Sequence, residues 1–177
     1  MTIPPDTKDW TWVLERSCPE CGFDPDHFAR EGYPRVIRHN AAQWPELLAA
    51  AGAAVRTRED RWSTLEYACH VRDVFRIFAE RLRLMRTQDS PQFDSWDQDD
   101  AAAVEGRYAE EDPGHVGEEL VAAAETLAGA FASVGPEEWS RPGTRSNGSR
   151  FTVETLGRYL IHEPIHHLFD VAGIRSA

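Results

Sequence analysis

Ser63 and Glu66 open the longest uninterrupted helical pattern in the chain, and that pattern constrains the fold class more than any other feature. A serine followed three residues later by a glutamate is a capping-box signature, because each side chain can satisfy a backbone donor of the other at a helix start. Behind it, Val71, Val74, Phe75, Phe78, Leu82 and Met85 recur at helical spacing and form an apolar stripe. A stripe of that kind has to be buried against another element. Three further segments carry the same period: 26–54 with Val36, Ile37, Trp44, Leu47 and Leu48; 113–135 with Val116, Leu120, Leu127, Ala130, Phe131 and Val134; and 152–173, with Thr152 as its cap. No convincing alternating strand competes with them, and 151–153 is too short to matter. The expected fold is therefore all-α, a four-helix bundle.

Connections refine the picture. Pro34 and Pro45 fall inside the first segment and are expected to break or kink it. Residues 88–112 are acidic and polar, a long connection holding a short helix near 101–108. A connection of that length suits a crossover between helices better than tight hairpins throughout. Residues 140–150 are turn chemistry. The simplest division is an N-terminal arm over 1–25, with two tryptophans and a Cys-x-x-Cys, ahead of one bundle domain over 26–177.

A formal net charge of −11 argues against nucleic acid as a partner, since phosphate binding needs a cationic footprint. Arg72, Arg76, Arg81, Arg83 and Arg86 alternate with apolar residues on the second helix and read as a solvated helix face. No apolar run reaches the ~18 residues of a membrane span. The first residues lack a basic start and an apolar core, so no secretory signal is expected and the setting is cytoplasmic. Three cysteines make no disulfide framework there, and Cys69, in mid-helix, reads as a small buried hydrophobe.

The histidines carry the chemistry. Positions i and i+4 share a helix face, so His162 and His166 can reach one ion, whereas His167 points about 100° away. His70 borders the apolar stripe of the second helix. Three imidazoles from two helices would leave coordination positions open, as in catalytic metal sites. A bland reading competes: paired helical histidines are often solvated or packed. Tyr159 and Asp170 continue the His162/His166 stripe, Asp170 as an orienting acceptor for His166 and Tyr159 as a substrate hydrogen-bonding group, although capping and packing explain them too. Pro164 lies between the two histidines, where it either sets their spread or is merely tolerated. His27, His39 and His115 read as surface groups.

A helix carrying LEYACHVRDVF, followed far downstream by one carrying YLIHEPIHHLFDV, resembles the DinB/YfiT-like family of metalloenzymes over about residues 26–174. The opening DTKDWTWVLERSCPECGFD is similar to a subgroup common in actinobacteria, and the arginine-over-lysine bias fits. The resemblance implies a four-helix bundle, often a homodimer, with one divalent metal ion on His70, His162 and His166. It also implies kinship with metal-dependent thiol transferases and with mycothiol-dependent maleylpyruvate isomerase. The expected function is thus a transferase in which a low-molecular-weight thiol of the mycothiol type is activated at the metal and attacks a small-molecule electrophile. The same ligands would serve a hydrolase or isomerase using metal-bound hydroxide, and a non-enzymatic metal- or ligand-binding protein is a third reading. Imidazole ligands suit several metals; zinc is the first expectation and nickel the second.

Cys18-Pro19-Glu20-Cys21-Gly22 resembles half of a zinc knuckle, but no second Cys-x-x-Cys completes it. The strand–helix context of a redox motif is missing as well. The two cysteines are expected to pack the arm, with Trp10 and Trp12 covering the bundle, and their replacement by serine should leave the main metal in place.

Overall fold

The computed structural model describes residues 10–94 and 107–176. Five α-helices stand among them: α1 (Tyr33–Ala41), α2 (Trp44–Ala49), α3 (Thr64–Thr87), α4 (Pro113–Ala132) and α5 (Val153–Ala172). The prolines of the first segment start helices rather than kink one. Pro34 and Pro45 both occupy the first turn of their helices, where the missing N–H has no intrahelical partner to lose. The expected single helix over 26–54 is accordingly split into α1 and α2, preceded by short 3-10 turns.

The longer helices are capped as their sequences dictate. Ser63 Oγ accepts from Glu66 N at 3.2 Å, and Glu66 Oε2 accepts from Ser63 N at 2.8 Å. Arg56 then closes a fork-shaped ion pair on the same carboxylate. Asp112 Oδ1 caps α4 through His115 N at 2.8 Å, and Thr152 Oγ1 caps α5 through Thr155 N at 3.2 Å.

In the bundle, α4 packs against both α3 and α1, and α5 packs against the same two helices. The pairs α1/α3 and α4/α5 therefore lie across the diagonals, while the long connection over 88–112 joins the packed neighbours α3 and α4. One contact sets how α5 sits. A Cβ on Gly157 would fall 2.5 Å from the ring of Tyr33, so only glycine lets the helix approach this closely. Tyr33 in turn donates to the Glu154 carbonyl oxygen at 3.1 Å. α5 is assigned as helix straight through Pro164, whose carbonyl oxygen accepts from Asn40 Nδ2 at 2.8 Å.

A small sheet departs from the expectation of no strands. β1 (Gln92–Phe93) runs parallel to β2 (Pro142–Arg145), and β2 pairs antiparallel with β3 (Arg150–Thr152). These segments are too short to show alternation; their pairing is a tertiary event that ties the start of the long connection to the turn before α5. Most of the helix expected near 101–108, together with Trp96, lies outside the described residues.

Two of the stripe arginines correct the reading of a solvated face. Arg72 and Arg81 are buried. Arg72 is paired with Asp73, Glu111 and Glu119, and Arg81 donates to the Asp94 carbonyl oxygen at 2.8 Å. Arg83 stays exposed beside Glu80. In the arm, Val13, Cys18, Cys21 and Phe23 belong to the same core as the bundle helices. Among the described residues no helix is long and apolar enough to cross a membrane.

Candidate metal centre

His162, Glu163, His166 and His167 occupy two turns of α5, and the helix period sorts them into two pairs. His162 and His166 share one stripe, and Glu163 and His167 share another about 100° around the helix. Which stripe meets which neighbour depends on how α5 is rotated in the bundle. The rotation, fixed by the buried face of Val153, Leu156, Leu160, Ile161 and Leu168 and by the Gly157–Tyr33 contact, turns the second stripe toward α3.

His70 of α3 therefore meets Glu163 and His167. His70 Nε2 lies 3.8 Å from Glu163 Oε2, His167 Nε2 lies 3.5 Å from the same oxygen, and the two imidazoles stand edge to face at 4.7 Å between centroids. The expected grouping of His70 with His162 and His166 is not formed. Those two histidines converge instead with Cys18 and Cys21 of the arm, all four donors lying within 4.8 Å of one another. The helix period correctly separates His167 from His162 and His166, but it is His167, one stripe over, that stands opposite His70.

The donors around His70 fit a divalent ion. With bonds of about 2.1 Å, tetrahedral ligand atoms sit about 3.4 Å apart, close to the 3.5 and 3.8 Å found here. Two imidazoles and one carboxylate are a borderline-to-hard set that leaves further coordination positions for water or substrate. Without an ion the charges arrange themselves around Glu163. Burial opposes its ionised form, yet contacts with His167 and His70 hold its carboxyl well below the usual range. Burial likewise opposes charge on His167, but Asp170 and Glu163 overcome it and hold its pKa up at about 9. His70 is pushed down, first by burial and only partly restored by Glu163. A divalent ion held by His70, Glu163 and His167 would take the place of the proton on His167.

Asp170 lies between the two stripes, 3.2 Å from His167 Nδ1 and 3.8 Å from His166 Nε2. Its hydrogen bond goes to His167 rather than to the expected His166. A carboxylate only accepts, so His167 donates through Nδ1 and directs Nε2 toward Glu163. Trp62 and Tyr67 wall the site, their rings 5.1 Å from His70 and 5.2 Å from His167. Trp62 Nε1 is buried with no hydrogen-bond partner among the described residues.

One turn toward the start of α5, Tyr159 packs between Phe78 and Phe151, its hydroxyl 3.5 Å from Arg145 Nη1. Burial, reinforced by the charge of Glu163, pushes its pKa up to about 12, so it is a donor at neutral pH. Arg81 faces the same region. Burial first, then the charge of Arg145, push its guanidinium down to about 10. Neither arginine has an ion pair among the described residues.

His162 is 2% exposed, and both its ring nitrogens are buried without a partner among the described residues. An unmet buried polar atom costs about 1–3 kcal/mol. Burial holds its pKa down at about 4 and also lowers that of His166, so both rings are neutral near pH 7.

Sequence reasoning missed Glu163 and His167 as partners of His70. The signal was present: Glu163/His167 repeats the i, i+4 spacing of His162/His166 one residue on. His27, His39 and His115 are exposed, as expected of surface groups, and Cys69 is buried as expected.

A comparison with curated protein sequences finds no match. Among solved structures the fold is similar to YfiT from Bacillus subtilis, described as a probable metal-dependent hydrolase with an unusual four-helix bundle topology. The likeness has a TM-score of 0.73 at 15% identity and covers 90% of this chain and 91% of that one. The family model described as DinB superfamily matches residues 35–169, most of the bundle, and the chain belongs to that superfamily.

Proposed function

We propose that this protein is a metal-dependent hydrolase of a small molecule bearing an anionic group, with one divalent ion held by His70, Glu163 and His167. The observation that carries the reading is the convergence of these three donors from α3 and α5 beside Trp62 and Tyr67. An ion on two imidazoles and one carboxylate supplies Lewis acidity and lowers the pKa of a bound water to about 7. Asp170 orients His167. Trp62 Nε1 offers a hydrogen-bond donor beside His70. Arg81, Arg145 and the Tyr159 hydroxyl form a cationic, donor-rich patch one turn from Glu163 and take the anionic part of the substrate. Zinc suits this set first and nickel second. The YfiT description as a probable metal-dependent hydrolase supports the same reaction class.

A second reading keeps the site and changes the co-reactant. LEYACHVRDVF and YLIHEPIHHLFDV resemble the DinB/YfiT-like family, which includes metal-dependent thiol transferases, and the opening stretch resembles a subgroup common in actinobacteria. There a mycothiol-type thiol would bind as thiolate and attack an electrophilic substrate or support an isomerisation. The same resemblance supports a cytoplasmic homodimer.

The test uses untagged full-length protein loaded with zinc, and separately with nickel. Turnover of small esters and amides of dicarboxylic acids is followed with and without an added low-molecular-weight thiol. Hydrolysis without thiol, lost in His70→Ala and in Glu163→Ala, is the expected result. Turnover only with thiol selects the transferase. A folded, metal-loaded protein with no turnover in either arm selects a binding protein.

A further inference from the structure

We propose that the chain carries a second, closed metal site in which Cys18, Cys21, His162 and His166 hold one zinc ion that fastens the N-terminal arm to α5. The four donors come from segments more than 140 residues apart, and their ligand atoms nevertheless lie within 4.8 Å of one another. All four residues are buried, and both cysteines are free thiols. Cys18 Sγ stands 3.7 Å from His166 Nδ1. Thiolate and imidazole on a tetrahedral zinc, with bonds of about 2.3 and 2.05 Å, are separated by about 3.6 Å.

His162 supplies the independent observation. Its imidazole is 2% exposed and surrounded by Phe23 and Trp10, with centroids at 5.3 and 5.5 Å, yet neither nitrogen has a hydrogen-bond partner among the described residues. Buried polar atoms are nearly always satisfied, so an orphaned ring facing two thiols points to a ligand.

The backbone of the arm is shaped for the same purpose. Gly22 N donates to the Cys18 carbonyl oxygen at 3.0 Å, closing the Cys-x-x-Cys turn. Gly22 itself has a φ of 79°, the left-handed region that glycine enters freely. The C-terminal tail braces that turn, with Ser176 N on the Cys21 carbonyl oxygen and Arg175 Nη2 on that of Pro19, both at 2.8 Å. Two thiolates and two imidazoles fill a tetrahedron and leave no position for substrate, so this site is structural, whereas the His70 site is open. Its existence does not depend on the proposed reaction.

Cobalt(II) added to the reduced, metal-free full chain separates the sites, because thiolate–cobalt bonding gives an intense near-ultraviolet charge-transfer band that imidazole–carboxylate ligation lacks. The wild type should bind two equivalents per chain, one of them with that band. His70→Ala/His167→Ala should keep the band and lose one equivalent. Cys18→Ser/Cys21→Ser should lose the band, keep the other equivalent and free the arm to proteolysis ahead of residue 25. Zinc-edge absorption spectroscopy on His70→Ala/His167→Ala carrying one zinc keeps the proposal testable should the cysteine variant misfold: a shell of two sulfurs and two nitrogens is expected. No charge-transfer band and no sulfur at zinc, or a Cys18–Cys21 disulfide that persists in the freshly isolated protein, would overturn it.

Discussion

Asp170 Oδ2 and His167 Nδ1 are 3.2 Å apart, and this contact fixes the direction in which His167 presents its other nitrogen to Glu163. Carboxylates behind ligating histidines typically contribute 10–100-fold in metal affinity. Asp170→Asn should weaken zinc binding at the His70 site by that order while the chain stays folded. Competition titration against a zinc chelator, with circular dichroism as the folding control, checks it. Unchanged affinity would remove Asp170 from the site.

Glu163 is shared by both imidazoles of the open site and by neither cysteine. Glu163→Gln should therefore remove one equivalent of metal and leave another bound, as read by elemental analysis. Loss of both ions, or of none, contradicts the division of α5 into two stripes.

Arg145 approaches the Tyr159 hydroxyl on the same face of α5 as Glu163. If the pair receives the substrate's anionic group, Arg145→Gln should raise KM about tenfold with little change in kcat, since it removes binding made equally in ground and transition states. A fall in kcat at constant KM would assign Arg145 elsewhere.

The cap of α3 makes a pH prediction. Burial works against ionised Glu66, but Arg56 and the Ser63 backbone and side chain outweigh it, so its folded pKa lies below the ordinary carboxylate value. A lowered folded pKa contributes stability that is complete above the unfolded pKa of about 4.3 and disappears as pH falls through the folded one. Glu66→Gln should thus melt lower than the wild type at pH 7, and the gap should close as the pH drops below about 4. Ser63→Ala should cost about 1 kcal/mol by removing the other half of the box. Thermal melts across pH 3–7 check both.

Much of the fold could be read from local chemistry. The Ser63–Glu66 box, the stripe from Val71 to Met85 and the cap at Thr152 are decided within a few residues, and the helices follow them. Pro34 and Pro45 were legible as punctuation but not as helix starts, because that depends on whether the preceding turn is already helical. The site was half legible. Spacing shows that His162 goes with His166, yet nothing local states which stripe of α5 faces α3. That rotation is set by Gly157 against Tyr33 and by the whole buried face. Cys18 and Cys21 posed the same difficulty in sharper form. A Cys-x2-Cys and a His-x3-His are a familiar zinc pairing, but here the two halves meet only once the arm packs against α5.

The grouping of His70 with Glu163 and His167 is tested most directly by anomalous diffraction at the zinc edge from crystals of the zinc-loaded protein. The account predicts a peak within bonding distance of His70, Glu163 and His167. A single peak joining His70 to His162 and His166, or none beside His70, would contradict it.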